Sequence, residues 1–256
     1  MRKKGFYHYK LFKKDMTYIL GARCINGVVL VGDTKVTTED GFAYSKKIAI
    51  PFGNVVMASS GIGGLYKEFQ NRIIIAVKLI EQQREKTGYY ITTDEDFSVL
   101  VTRVIRDMIR EYGDDDYVLK NNLRIICATR IGSPLNQYYP LAQLSTYHPY
   151  GFPEPVNKYE AIGHGKPYGE LFLKNLYRKE MTMKEGTKLG LFIIQFIKDM
   201  HLDESVGYDD EFLPQVVYIP DIQIPENYDP NDEIKVKKYM RVIQLVNYPE
   251  KMLNIL

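Results

Sequence analysis

Thr17 heads an apolar run, Tyr18-Ile19-Leu20-Gly21-Ala22, directly after Met16. A cut between Met16 and Thr17 would give this residue a free α-amine beside its own hydroxyl. A threonine hydroxyl is a weak nucleophile and needs a base. A free α-amine, with a reference pKa of about 8, is partly neutral at working pH and can accept that proton. A neighbouring ammonium favours the neutral amine by like-charge repulsion. Lys47, in Lys46-Lys47-Ile48-Ala49-Ile50, is the candidate for that ammonium. Asp33 closes a second apolar run, Gly27-Val28-Val29-Leu30-Val31-Gly32, and would keep Lys47 charged and oriented. Gly61 follows Ser59-Ser60 at the head of a helical segment, where a backbone N–H suits a developing oxyanion. Singly, each has a plain structural reading: a strand threonine, a turn aspartate, a solvated lysine and a helix-entry glycine.

The elements that must position these residues are legible in the hydrophobic period. Residues 17–23 and 27–33 read as two strands joined at Ile25-Asn26-Gly27, an Asn-Gly hairpin signal. Residues 46–50 and 54–59 read as a second hairpin. Leu65, Phe69, Ile73, Val77 and Ile80 then recur at helical spacing through 61–86. Thr92 to Asp96 caps a further helix, whose stripe runs from Phe97 to Ile109 and stops at Gly113. Strands are expected at 123–131 and about 137–144, and a Pro-, Tyr- and Gly-rich loop over 145–160. Gly163-His164-Gly165 opens a third helix over 166–178. Thr182 caps a fourth, ending near Met200, and 214–219 reads as a last core strand. Strands and helices segregated into blocks predict an α+β layered fold. Two antiparallel sheets face to face, with a helix pair outside each, would bury every apolar face. Residues 221–256 read as a C-terminal extension holding one strand-like run, 240–246.

The chain has 256 residues, 45% of them hydrophobic and 26% charged. That suits one domain of roughly 200 residues with appendages. No apolar run reaches the roughly 18 residues that span a bilayer, so no membrane role is expected. Net charge is +2, yet residues 1–16 alone hold Arg2, Lys3, Lys4, Lys10, Lys13 and Lys14 against Asp15. The body is therefore mildly acidic, which argues against a nucleic-acid surface. The basic leader 1–16 has no apolar core of a secretory signal and reads as a solvated or cleavable extension. Cys24 and Cys127 sit in apolar runs and read as buried thiols of a cytoplasmic protein. Metal ligation is rejected, because His201-x-Asp203 has too few partners.

Together these residues carry a resemblance. Thr-Tyr-Ile-Leu-Gly from Thr17 and Gly-Val-Val-Leu-Val-Gly-Asp-Thr-Lys-Val-Thr from Gly27 to Thr37 resemble the proteasome-type N-terminal-nucleophile hydrolases. These are the proteasome β subunits, the HslV peptidase and the Anbu proteins. Lys47, the Ser-Gly-x-x-Gly segment at Gly61, Gly163-x-Gly165 and Met181-Thr182-x-x-Glu185-Gly186-x-x-Leu189 follow in the family's order. The likeness covers residues 16–220. It implies a four-layer αββα sandwich over 17–220 and a leader, 1–16, that is removed or untranslated, as in a zymogen. It implies Thr17 as nucleophile, with Asp33, Lys47 and Gly61 in the roles argued above. His164 stands where the family has a serine between two glycines. Asp203 and Gly207 match an Asp and a Gly of the family, while Val206 replaces a serine; His164 and Asp203 are the expected supporting residues.

The resemblance further implies a polypeptide substrate, a ring-shaped homo- or hetero-oligomer and an ATPase unfoldase as partner. The chemistry calls for no cofactor. The first specificity pocket of the family falls on Val36, Ser45, Ala49, Ser59 and Gly63, none of them large or charged. Cleavage after large apolar side chains is the expectation. Two other readings stay open beside the threonine peptidase. One is a non-catalytic α-type ring subunit, although Gly5 to Phe12 does not match the N-terminal helix of that type. The other is an amidohydrolase or acyl transferase acting on a small amide, since the same nucleophile serves both.

Overall fold

The computed structural model describes residues 17–38, 41–52, 55–61, 63–87, 91, 94–112, 123–130, 141–148, 153–221 and 244–245. The basic leader, Gly5 to Phe12 included, and most of the C-terminal extension lie outside them. Strands β1 (Ile19–Cys24) and β2 (Gly27–Gly32) form the expected hairpin, with Cys24 opposite Gly27. Next come β3 (Lys35–Thr38), β4 (Gly41–Tyr44), β5 (Ile48–Phe52) and β6 (Val55–Ser60). Helices α1 (Gly63–Thr87) and α2 (Asp94–Tyr112) follow. Then come β7 (Arg124–Thr129), β8 (Gln143–Tyr147), β9 (Glu154–Pro155) and β10 (Tyr159–Ile162). Helices α3 (Lys166–Leu176) and α4 (Met183–Asp199) precede β11 (Gln215–Pro220) and β12 (Gln244–Leu245).

Two five-stranded antiparallel sheets result, in the orders β10-β1-β2-β11-β12 and β5-β6-β7-β8-β9. Strand alternation builds three apolar layers from them. Inward residues Ile19, Val28, Leu30, Val56, Ala58, Ile126, Ala128, Val217 and Ile219 pack sheet on sheet. Outward residues Leu20, Val29, Val31 and Val216 meet Leu173 of α3 and Leu189, Ile193, Ile194 and Ile197 of α4. On the other side Val55, Met57, Ile125 and Cys127 meet Phe69 and Ile73 of α1 and Phe97, Val101 and Met108 of α2. The fold is the αββα sandwich that the block order predicts. The Thr182–Glu185 capping box starts α4: Glu185 N donates to Thr182 Oγ1, and Thr182 N donates to Glu185 Oε2.

Two segments depart from expectation. Residues 145–160 are not one loop, because β8 carries Leu144 into the inter-sheet core and Tyr147 into the α1–α2 core. Pro-rich sequence just downstream masks that alternation, and β9 ends in Pro155 at the sheet edge, where proline is tolerated. The β3–β4 ribbon had no strand signal, since none of its described side chains is fully buried and Phe42 is half exposed. In the extension, Gln244–Leu245 lies within the strand-like run expected over 240–246 and pairs with Val217 and Tyr218. Among the described residues, no helix is long and apolar enough to cross a membrane.

Helix α4 lies very close to β2. A Cβ on Gly190 would stand 2.9 Å from Val31 Cβ. Gly190→Leu should therefore lower the thermal midpoint: overpacking costs about 1–3 kcal/mol, which outweighs the roughly 1 kcal/mol gain in helix propensity. An unchanged or raised midpoint in a thermal melt would contradict this packing.

Candidate active site

Thr17 stands two residues before the start of β1, and Asp33 directly follows β2. The hairpin register sets Ile19 opposite Gly32, which brings Tyr18 and Asp33 face to face. Asp33 N donates to Tyr18 O at 3.0 Å, and Tyr18 N donates to Asp33 Oδ1 at 2.9 Å. Lys47 precedes β5 in the other sheet and reaches across to this hairpin end. Its Nζ donates to Thr17 Oγ1 at 2.5 Å, to Asp33 Oδ1 at 2.9 Å and to Lys35 O at 2.5 Å. The side chains of Lys47 and Asp33 are 1% and 0% exposed, and Thr17 is buried as well.

Burial pushes the Asp33 carboxyl above its ordinary range, and Lys47 with the N–H groups of Tyr18 and Gly207 pulls against that rise. The lysine is thus what makes a carboxylate tenable in so dry a place. The same ammonium, in contact with Thr17 Oγ1, would stabilise negative charge on that oxygen and repel a proton from a nearby amine.

Gly163-His164-Gly165 holds Thr17 from the other side. Gly165 N donates to Thr17 O at 3.1 Å. Gly163 has φ 95°, and a Cβ there would stand 2.0 Å from Thr17 O, so only glycine fits. His164 is half exposed, with Nδ1 3.3 Å from Oδ2 of the buried Asp203. Asp203 Oδ1 accepts from Ser205 N at 3.1 Å and from Ser205 Oγ. The loop after α4 then returns beneath the site, where Gly207 N donates to Asp33 Oδ2 at 3.2 Å. Val206 packs in the α3–α4 core.

Gly61, at φ 151°, lies between β6 and α1. Two residues earlier, Ser59 Oγ accepts from Gln70 Nε2 at 3.3 Å, and the same Nε2 donates to Lys47 O at 3.1 Å. The glycine thus stands on the lysine's end of the sandwich. Of the five pocket positions, Val36 is on β3 and Ala49 is on β5 opposite Met57. Ser45 accepts from Tyr66 Oη at 3.4 Å, Ser59 is buried against Gln70, and Gly63 opens α1. Gln70 and Gln215 are contacts that sequence reasoning missed; Gln215 Oε1 accepts from Lys47 N. Neither stands in a motif, and only the crossing of layers brings them to Lys47. Among the described residues, no three His, Cys, Asp or Glu side chains cluster to hold a metal ion.

Fold and site together define a class: an αββα sandwich with a buried Thr-Lys-Asp cluster at one end, the architecture of N-terminal-nucleophile hydrolases. Residues 16–207 match the family model for proteasome subunits, and the chain belongs to that family. Among the solved structures that share the fold are two Anbu proteins. Anbu (ancestral beta-subunit) from Yersinia bercovieri aligns with TM-score 0.60 and 16% identity, over 80% of this chain and 82% of its own. Anbu from Hyphomicrobium sp. strain MC1 aligns with TM-score 0.60 and 19% identity, over the same shares. No curated protein sequence matches the chain significantly.

The buried pair yields a stability prediction. Asp33→Ala leaves an uncompensated ammonium and should cost about 3–5 kcal/mol. Asp33→Ala combined with Lys47→Met removes both charges and should recover part of that loss in urea unfolding. Costs that simply add would show that the two groups are not coupled.

Proposed function

We propose that this chain is a threonine-type endopeptidase working inside a ring-shaped oligomer, with Thr17 as its N-terminal residue once Met16 and the leader are gone. The observation that carries this reading is Lys47 Nζ at 2.5 Å from Thr17 Oγ1 within a buried pair with Asp33. The Thr17 α-amine takes the hydroxyl proton, and Oγ1 attacks the scissile carbonyl carbon. Lys47 stabilises the developing oxygen charge on Thr17 and keeps the amine neutral. The Gly61 N–H receives the oxyanion of the tetrahedral intermediate. Collapse expels the new amine with a proton from the Thr17 ammonium. Water, deprotonated by the same amine, then hydrolyses the ester on Oγ1. The positions that would line the pocket for the side chain before the scissile bond are Val36, Ser45, Ala49, Ser59 and Gly63. An ATPase unfoldase supplies extended substrate. Two free, buried thiols support a cytoplasmic setting.

Intact mass and N-terminal sequencing of native protein, combined with peptide turnover, test the nucleophile. Thr17 should be the first residue, exposed by leader excision or by initiation at Met16 and methionine removal. Thr17→Ala should abolish turnover and keep the fold. Lys47→Ala and Asp33→Asn should each lower kcat by orders of magnitude, non-additively with Thr17→Ala. Turnover by Thr17→Ala, or by protein retaining residues 1–16, would overturn the assignment.

Specificity is tested separately. Burying a large apolar side chain contributes roughly 1.5–3 kcal/mol, whereas an unpaired charge is penalised by more. Among fluorogenic peptides differing only before the scissile bond, those with Leu, Phe or Tyr should exceed those with Arg or Asp in kcat/KM by about 10-fold or more. The reverse order would refute an apolar pocket and leave the nucleophile standing.

A further inference from the structure

Lys47 enters β5, the edge strand of its sheet, whose ladder partner is β6. Edge strands present backbone groups that need partners. At Lys47 and Ile48 those partners are side-chain carboxamides from other layers. Gln215 opens β11 in the opposite sheet. Its Oε1 accepts from Lys47 N at 2.5 Å and from Ile48 N at 3.0 Å, and its Nε2 lies 3.5 Å from Ile48 O. Gln70, buried on α1, donates Nε2 to Lys47 O at 3.1 Å. The N–H and the C=O of Lys47 are thus each held by a glutamine.

The register adds a second link. Gln215 stands opposite Gly32 on β2, the residue before Asp33. One side chain therefore ties the Lys47 backbone to the strand end that carries its carboxylate. A leucine of similar size would fill the space but leave two N–H groups without this acceptor, a costly loss where water is scarce.

We propose that Gln215 and Gln70 are positioning residues of the active site. They fix the Lys47 backbone between the sheets so that Nζ reaches Thr17 Oγ1 and Asp33 Oδ1 at once. This inference rests on the threonine-peptidase reading. Neither glutamine enters the bond-making steps; both act through Lys47. Displacing a catalytic group by about 1 Å costs about 100-fold in rate.

The test uses native protein with Thr17 exposed, a fluorogenic Leu-peptide, and circular dichroism to verify folding. Gln215→Leu should lower kcat by about 100-fold and Gln70→Met by about 10-fold, with KM within about threefold of wild type. Gln215→Glu keeps the twin acceptor and should retain kcat within about tenfold. If Gln215→Leu does not fold, Gln70→Met decides. Wild-type kcat in the folded variants overturns the inference alone, as does a loss that Gln215→Glu shares in full. Absence of Thr17-dependent turnover in wild-type protein overturns the peptidase reading and this inference with it.

Discussion

An ammonium and a carboxylate lie 2.9 Å apart where water is almost excluded. Either charge alone would be strongly unfavourable there, so each residue's presence requires the other. Every layer of the fold contributes to satisfying them. The β1–β2 register supplies Tyr18 N to Asp33, and the loop after α4 supplies Gly207 N. The second sheet supplies Lys47 itself, and α1 with β11 holds its backbone. Thr17 lies within this arrangement because its chain neighbour, Tyr18, is one of the donors. The nucleophile candidate is thus placed by the same hydrogen bonds that make the ion pair tolerable.

The layers were legible because their information is local. Alternation in 17–33 and 54–59, and the helical stripes from Leu65 and Phe97, each specify an element within a few residues. Asp33 and Thr17 could be joined from sequence because a two-residue turn fixes the hairpin register. Lys47 required the family pattern, since nothing near it in the chain says that it crosses to the other sheet. Gln70 and Gln215 were not legible: a glutamine on a helix or at a strand end has no periodic signature. Their roles arise from contacts spanning 23 and 168 positions. The β3–β4 ribbon escaped for the opposite reason, having too little burial to impose a hydrophobic period.

His164 and Val206 stand at positions that differ from the family pattern. Val206 turns its methyl groups toward the turn that clamps Thr17: an ideal Cβ on Gly165 would lie 2.9 Å from Val206 Cγ2 and 3.1 Å from Tyr18 Cβ. Apolar packing thus stands where the family has a hydroxyl. The preceding residue, Ser205, directs its Oγ to Asp203 Oδ1. His164 approaches the other oxygen of the same carboxylate. Asp203 therefore retains polar neighbours through a serine one place earlier in the chain and an imidazole from the opposite loop.

Likeness of fold to the Anbu structures at 16% and 19% identity follows from what an αββα sandwich demands. Layering requires only apolar alternation on two sheets and apolar stripes on two helix pairs, which many sequences satisfy. Chemistry requires far more specific features, so it is carried by the site and not by the fold. In the proposed mechanism it turns on one bond. While Met16 is attached, the Thr17 nitrogen belongs to a peptide group, and amide resonance withholds its lone pair. Cutting that bond converts it to an amine with a reference pKa of about 8. The contacts of Lys47 with Thr17 and Asp33 are formed in a chain that still includes Met16. Under that mechanism, assembly of the site and creation of its base are separable events.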